Sequence, residues 1–340
     1  MKAIYFLLKM NRLVGSLRIK IAGVLAADIL KLRHLFVRID PVLACNLRCE
    51  MCYYSDKAVR QSKRGQFSTE EIARIGGLFF KRTLQLQIGC AAEPLMCKDL
   101  GFVLELAHRS RVPFVGLATN GQLMTPQHVS DFLRFGVKEI TFSLHGTTRQ
   151  TYERFMVGAS FETCHEKLSM LAQAKREAKS QLPAIRFNYV VNPDNLDELP
   201  ELLPVFGKYD PDVIQVRPIF DLEHNKYRNY DLQSSSEKYS AILKNLAEEC
   251  RVSGITLLSS QMLPKPDEKN NQSSALFSTV VRYISPQVVW RSDFDWKGES
   301  YDEYCKRIHW KAALAKGVLK PESLAQEGEG DNSLGYEVSL

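Results

Sequence analysis

Three cysteines, Cys45, Cys49 and Cys52, stand within eight residues of the segment VRIDPVLACNLRCEMCYYSD, which runs from Val37 to Asp56 and opens on an apolar stretch. Thiolates suit zinc and iron–sulfur clusters, and a closed tetrahedral zinc site or a fully ligated cluster takes four protein donors. Three thiolates can instead hold three irons of a four-iron, four-sulfur cluster and leave the fourth open to a small molecule. At about 3.3–3.6 Å of reach per residue, a loop this short can turn all its sulfurs onto one centre. Two other readings compete. The polarity of CNLRCEMC argues against three unrelated core thiols, whereas a zinc site completed by His34 or a distant cysteine is the stronger rival.

Such a loop needs a scaffold, and the chain is long enough to build one. Its 340 residues are 45% hydrophobic, which permits a large α/β domain with appendages. Residues 1–40 hold eight Lys or Arg against Asp28 and Asp40, which accounts for the whole net charge of +6. The near-neutral remainder offers little to RNA. The opening MKAIYFLLKMNR breaks its apolar run at Lys9 and lacks a small-residue cleavage pattern, so a reducing, cytoplasmic setting is expected. IAGVLAADIL, residues 21–30, is interrupted by Asp28 and falls well below the about 20 residues a membrane span needs.

Short β-rich runs alternate with helical segments from His34 onward, as in parallel βαβ units. Strands are expected at 35–40, 84–89, 113–119, 139–145, 185–191 and 213–219, forming a partial barrel of six βα units. Ser68 with Glu71 forms a capping box, and Thr125 and Ser160 are further helix N-caps. Past Phe220 a helix is expected over 237–252, a short strand in GITLLSS, and a mobile loop over 264–274. The organisation expected is a basic amphipathic arm (1–33), a barrel core (34–220), an extension (221–316) and an acidic disordered tail (317–340).

C-x3-C-x2-C after the first strand of a βα series resembles the signature of the radical S-adenosylmethionine (SAM) enzymes. IGCAAEP (88–94) resembles that superfamily's Gly-Gly-Glu-Pro segment, LATNGQLMT (117–125) its Thr-Asn-Gly turn, and FSLHG (142–146) the Ser-x-Asp/His end of its fourth strand. The match covers about residues 35–220. It implies a TIM-like partial (β/α)6 barrel with an N-terminal helical arm and an aromatic-rich C-terminal extension. It also implies a [4Fe-4S] cluster on Cys45, Cys49 and Cys52 and reductive cleavage of SAM to a 5′-deoxyadenosyl radical that abstracts hydrogen from a substrate. An electron donor such as flavodoxin or ferredoxin follows. The alternative is a non-catalytic metal-binding or electron-transfer protein using the same thiols.

By the same resemblance, Met51, Tyr53, Ala92, Glu93, Ser143, His145 and Asn188 are expected to bind SAM, with Glu93 receiving its ammonium group. Ala91-Ala92 replaces the family's glycine pair, so that turn must keep φ negative or widen. Met51 replaces the usual aromatic residue before the third cysteine, a position expected to meet adenine largely through backbone. Thr119, Asn120, Arg186, Asn192, Gln215 and Arg217 are candidates for substrate, because strand ends in α/β barrels point side chains into one mouth. Arg186, Asn188, Gln215 and Arg217 could equally form an internal polar network.

The other five cysteines show no clustering that suggests an auxiliary cluster, although Cys305 and His309 have i, i+4 spacing. Trp290, Trp296 and Trp310, with Phe294, Tyr301 and Tyr304, are expected to close the barrel beside its sixth strand or to cover substrate. Apolar residues 13, 14, 17, 21, 24, 25 and 29 of the arm form a helical stripe edged by Arg12 and Arg18. It can pack on the barrel or meet a peripheral membrane surface or a leader peptide.

Overall fold

A computed structural model describes residues 14–219, 235–259 and 271–326. Among these residues nine strands form a single open sheet in the order β7-β6-β5-β4-β3-β2-β1-β8-β9. The first six are β1 (Leu35–Ile39), β2 (Thr83–Ile88), β3 (Phe114–Thr119), β4 (Glu139–Leu144), β5 (Ala184–Val191) and β6 (Val213–Pro218), all where their β-rich runs place them. Each pairs in parallel with the next, and helices occupy every crossover, so the molecule is the partial α/β barrel expected.

Burial alternates along the strands because one face packs under the crossover helices. Ile39, Ile88, Leu117, Phe142, Phe187, Tyr189 and Val216 belong to that core. The helix starts follow local chemistry. Ser68 and Glu71 bond reciprocally before the Thr69–Phe79 helix, and Thr125 and Ser160 cap the Pro126–Arg134 and Phe161–Glu177 helices.

Beyond β6 the chain departs from expectation in four places. The aromatic segment does not flank the sixth strand: β7 (Thr256–Ser259) does so, while β8 (Val281–Ser285) adds to β1 and carries β9 (Val288–Val289). Trp290, Phe294, Tyr301, Tyr304 and Trp310 pack edge to face or stacked beside β1, with the Arg282 guanidinium 3.9 Å from the Trp290 ring centroid. A helix begins at Asn271, inside the expected loop, whose residues 264–270 lie outside the described ones. The Trp310–Leu319 and Glu322–Gln326 helices extend order into the expected tail, where Leu324 is buried. Finally, Cys305 and His309 share no helical face, because that helix ends at Arg307 and His309 turns left-handed with φ 52°.

The arm forms a helix over Leu17–Ile29 that packs on the Trp310–Leu319 and Asn271–Val280 helices. Ile21 and Val24 point inward as the stripe requires, whereas Ile29 is exposed and Arg12 and Leu13 lie outside the described residues.

Candidate functional site

The cysteine loop follows β1 and is tied down from several directions. The N–H groups of Arg48 and Glu50 donate to the carbonyls of Val157 and Phe155, and Glu93 N–H donates to Ala44. Asn120 Nδ2 donates to Asn46 Oδ1 at 2.9 Å. Within the loop, Leu47 N–H reaches Cys45 Sγ and Tyr54 N–H reaches Cys52 Sγ, each at 3.4 Å. All three thiols are free and partly exposed.

Burial pushes the Cys45 thiol up to about 12, with further rises from Glu93 and Cys52, and it raises Cys49 and Cys52 as well. The charges of Cys45 and Cys52 add to the rise at Cys49, so the three thiols feel one another. Desolvated thiols held together keep their protons until a metal centre takes up the charge. Among the described residues, no three His, Cys, Asp or Glu side chains gather tightly enough for a single ion. His34 cannot complete a zinc site with the loop: it precedes β1 at the opposite end of the strand, where its ring meets Leu32 O at 2.9 Å and Asp28 at 3.7 Å. The donor set fits a sulfide-bridged cluster better than a mononuclear metal.

The turn after β2 faces this loop. Gly89 has φ 78°, and a Cβ there would stand 2.4 Å from the Ala118 carbonyl oxygen, so that position demands glycine. Ala91 and Ala92 do not take positive φ, as their side chains require. What shapes the turn is Asp40, which sequence reasoning missed. Its buried carboxylate accepts N–H bonds from Cys90 at 2.9 Å, Ala91 at 3.1 Å and Ala92 at 3.3 Å, and the Tyr283 hydroxyl at 2.9 Å. Burial raises its pKa, and those bonds oppose the rise. Tyr53 donates its hydroxyl to Ala91 O at 2.5 Å, while Met51 packs into a small cluster with Phe155. Tyr54, also missed, packs with Ala91 and beside Cys45 and Cys52; its buried hydroxyl has no hydrogen-bond partner among the described residues. A second aromatic residue, two positions after the third thiol, was the available signal.

Glu93 is 3% exposed. Its Oε1 accepts from Thr119 Oγ1 at 2.6 Å and Leu95 N at 3.1 Å, and its Oε2 accepts from Asn120 N at 2.8 Å. Thr119 and Asn120, considered for substrate, are thus spent on holding Glu93 and the cysteine loop. A carboxylate has about four acceptor positions, so one remains. Burial lifts Glu93 to about 7 against these three bonds, and a cation beside it would restore the carboxylate. The residues therefore fit an ammonium-bearing ligand next to a cluster.

Ser143, Asn188 and Gln215 are register partners across β4, β5 and β6, forming a polar row. Asn188 Oδ1 is buried with no hydrogen-bond partner among the described residues, and Ser143 is partly exposed. Arg186 bonds Glu139 at 3.2 Å and Gln215 at 2.5 Å, so Arg186 and Gln215 form the internal network. Asn192 is fully buried in the turn after β5, where Nδ2 meets Met51 Sδ at 2.9 Å and Oδ1 accepts from Asp194 N; it does not line the mouth. Arg217 is partly exposed near the end of β6.

His145 is buried, and burial lowers its pKa to about 4. Val190 N–H donates to Nδ1 at 3.4 Å, which puts the proton of the neutral ring on Nε2. A depressed histidine pKa contributes stability that is present above about 6.5 and is lost as pH falls through about 4. His145→Gln should flatten the stability profile in that window by up to about 3 kcal/mol. Urea midpoints measured across that range check it, and parallel profiles would contradict the assignment.

The comparisons agree with this geometry. The Radical SAM superfamily model matches residues 39–203, which include the cysteine loop and strands β2 to β5. Curated relatives include the tungsten-containing aldehyde ferredoxin oxidoreductase cofactor-modifying protein of Pyrococcus furiosus, 26% identical over 50% of this chain and 47% of that protein. The GTP 3′,8-cyclase of Rhodopirellula baltica is 30% identical over 35% of this chain and 34% of that enzyme. The chain thus spans less than half the length of either relative. Among solved structures, Streptococcus suis SuiB bound to S-adenosylmethionine superposes with TM-score 0.58 at 14% identity, covering 76% of this chain and 60% of that one. Native anSMEcpe with bound AdoMet gives 0.53 at 16% identity, covering 72% and 66%. With its three-thiol loop at the head of a matching parallel barrel, the segment 39–203 of this chain is a Radical SAM superfamily domain.

Proposed function

We propose that this chain is a radical SAM enzyme in which Cys45, Cys49 and Cys52 hold three irons of a [4Fe-4S] cluster and SAM binds beside the fourth. When bound, the two groups together supply one-electron cleavage of the sulfonium to methionine and a 5′-deoxyadenosyl radical, for hydrogen abstraction from a substrate. An electron donor of the flavodoxin or ferredoxin kind completes the requirement.

The chain's own residues would bind, orient and exclude water. Glu93 would accept the ammonium group through its remaining acceptor position, next to the backbone of Ala92. Asp40 would hold the turn that carries Ala91 and Ala92, and Tyr53 would brace it through Ala91 O. Met51 would meet adenine through its backbone. Asn188 Oδ1 would accept from a ribose hydroxyl, with Ser143 beside it in register, and neutral His145 would keep its Nε2–H as a donor. Arg217, partly exposed near the end of β6, would face substrate. The observation that carries this reading is Glu93: a buried carboxylate lifted to about 7, with an acceptor position to spare, joined through Asn120 to the thiol loop.

The test is anaerobic purification, reconstitution with iron and sulfide, and a dithionite assay for 5′-deoxyadenosine. Its SAM-dependent formation is expected. A reconstituted cluster whose spectrum ignores SAM and which yields no 5′-deoxyadenosine would establish the non-catalytic electron-transfer alternative instead.

A further inference from the structure

The Leu17–Ile29 helix is apolar on both sides. Leu17, Ile21, Val24 and Asp28, at i, i+4, i+7 and i+11, turn inward, and Asp28 meets Arg82 at 3.6 Å beneath the barrel. The same spacing places Ile19, Gly23, Ala26 and Leu30 on the opposite side, facing out. There Ile19 is 63% exposed, Leu30 66% and Ile29 53%, followed by Leu32 at 55%. A Cβ on Gly23 would meet nothing within 4 Å. Among the described residues, half of the eight exposed large hydrophobic ones thus fall within fourteen positions, and Leu319, on the helix packed alongside, adds a fifth at 71%.

Cations edge this surface. Arg18 and Lys20 flank Ile19 on successive helix positions and have no acidic partner among the described residues. Lys31 follows Leu30 and lies 3.6 Å from the Asp302 carboxylate, and in the sequence Lys2, Lys9 and Arg12 precede the helix, in the region that carries the whole net charge of the chain. An apolar strip with a basic margin matches the headgroup boundary of an anionic bilayer, where apolar side chains enter the acyl region and cations meet phosphate. Among the described residues no helix is long and apolar enough to cross a membrane, so such a contact would lie in the plane of the surface. The helix leads into the start of β1, and the cysteine loop follows its other end. Docking by this face would leave the barrel mouth open to water.

We infer that the outward face of the Leu17–Ile29 helix is a docking surface for an anionic phospholipid membrane. The inference is independent of the SAM chemistry. The test is co-sedimentation of the full chain with vesicles of phosphatidylcholine alone or mixed with phosphatidylglycerol. Binding is expected only to the mixed vesicles, and it should weaken with salt. Ile19→Gln with Leu30→Gln should lower partitioning by about tenfold or more, and Arg18→Gln with Lys20→Gln by about tenfold. Ile19, Leu30 and Arg18 are exposed and Lys20 is partly so, so thermal unfolding should match that of the parent chain and exclude misfolding as the cause. Failure to bind the mixed vesicles, equal binding to neutral vesicles, or a solution dimer that the Ile19→Gln, Leu30→Gln pair dissociates would each overturn it.

Discussion

Cys49→Ala is expected to reduce the iron of the reconstituted protein from about four atoms per chain to a small fraction of that, and 5′-deoxyadenosine formation to background. Two remaining thiols cannot hold the cubane against loss of its irons. Cys49 sits between Cys45 and Cys52 in the loop and is the most deeply desolvated of the three, so its neighbours cannot turn to replace it. Iron and sulfide analysis with electron paramagnetic resonance reads the outcome. Cys250→Ala, which removes a buried thiol on the Ser236–Val252 helix, should keep its iron and separate ligation from a general loss of thiols. Full SAM cleavage by Cys49→Ala would contradict the cluster assignment.

Asp40→Ala should produce the largest loss of stability among substitutions that leave the cluster ligands untouched. It strands the N–H groups of Cys90, Ala91 and Ala92 and the Tyr283 hydroxyl in the interior. At about 1–3 kcal/mol for each unsatisfied group, and with some relaxation, the total cost is about 3 kcal/mol or more. Asp40→Asn keeps one acceptor oxygen and should fall between the two. Guanidinium midpoints measure the stability, and equilibrium dialysis measures SAM affinity. Affinity should drop in both variants while iron content holds, because the turn would meet SAM in the proposed site and the thiols make no bond to Asp40 among the described residues. A midpoint for Asp40→Ala equal to that of the parent would show that the carboxylate does not organise the turn.

Asp40 also marks the boundary of sequence reasoning at this site. It was visible only as the polar end of an apolar strand, since its partners are Cys90, 50 residues on, and Tyr283, 243 residues on. Thr119 and Asn120 were placed in the mouth by strand topology, yet their bonds go to Glu93 and Asn46. Strand ends reveal which residues come near a mouth; they do not reveal which of them have already satisfied one another. Arg186 illustrates the same point, because register brings it to Glu139 and Gln215 before any ligand can reach it.

The six strands, the capped helices at Ser68, Thr125 and Ser160, and the three-thiol loop were legible because each depends on residues only a few positions apart: alternation of period two, a cap three residues from its donor, and three thiols in one turn of chain. Strand order at the edges, the seat of the tryptophans beside β1 and the partners of the buried carboxylates were settled only in three dimensions. They depend on which distant segments exclude water together, and hydrophobic burial has no direction along the chain that could announce its partner.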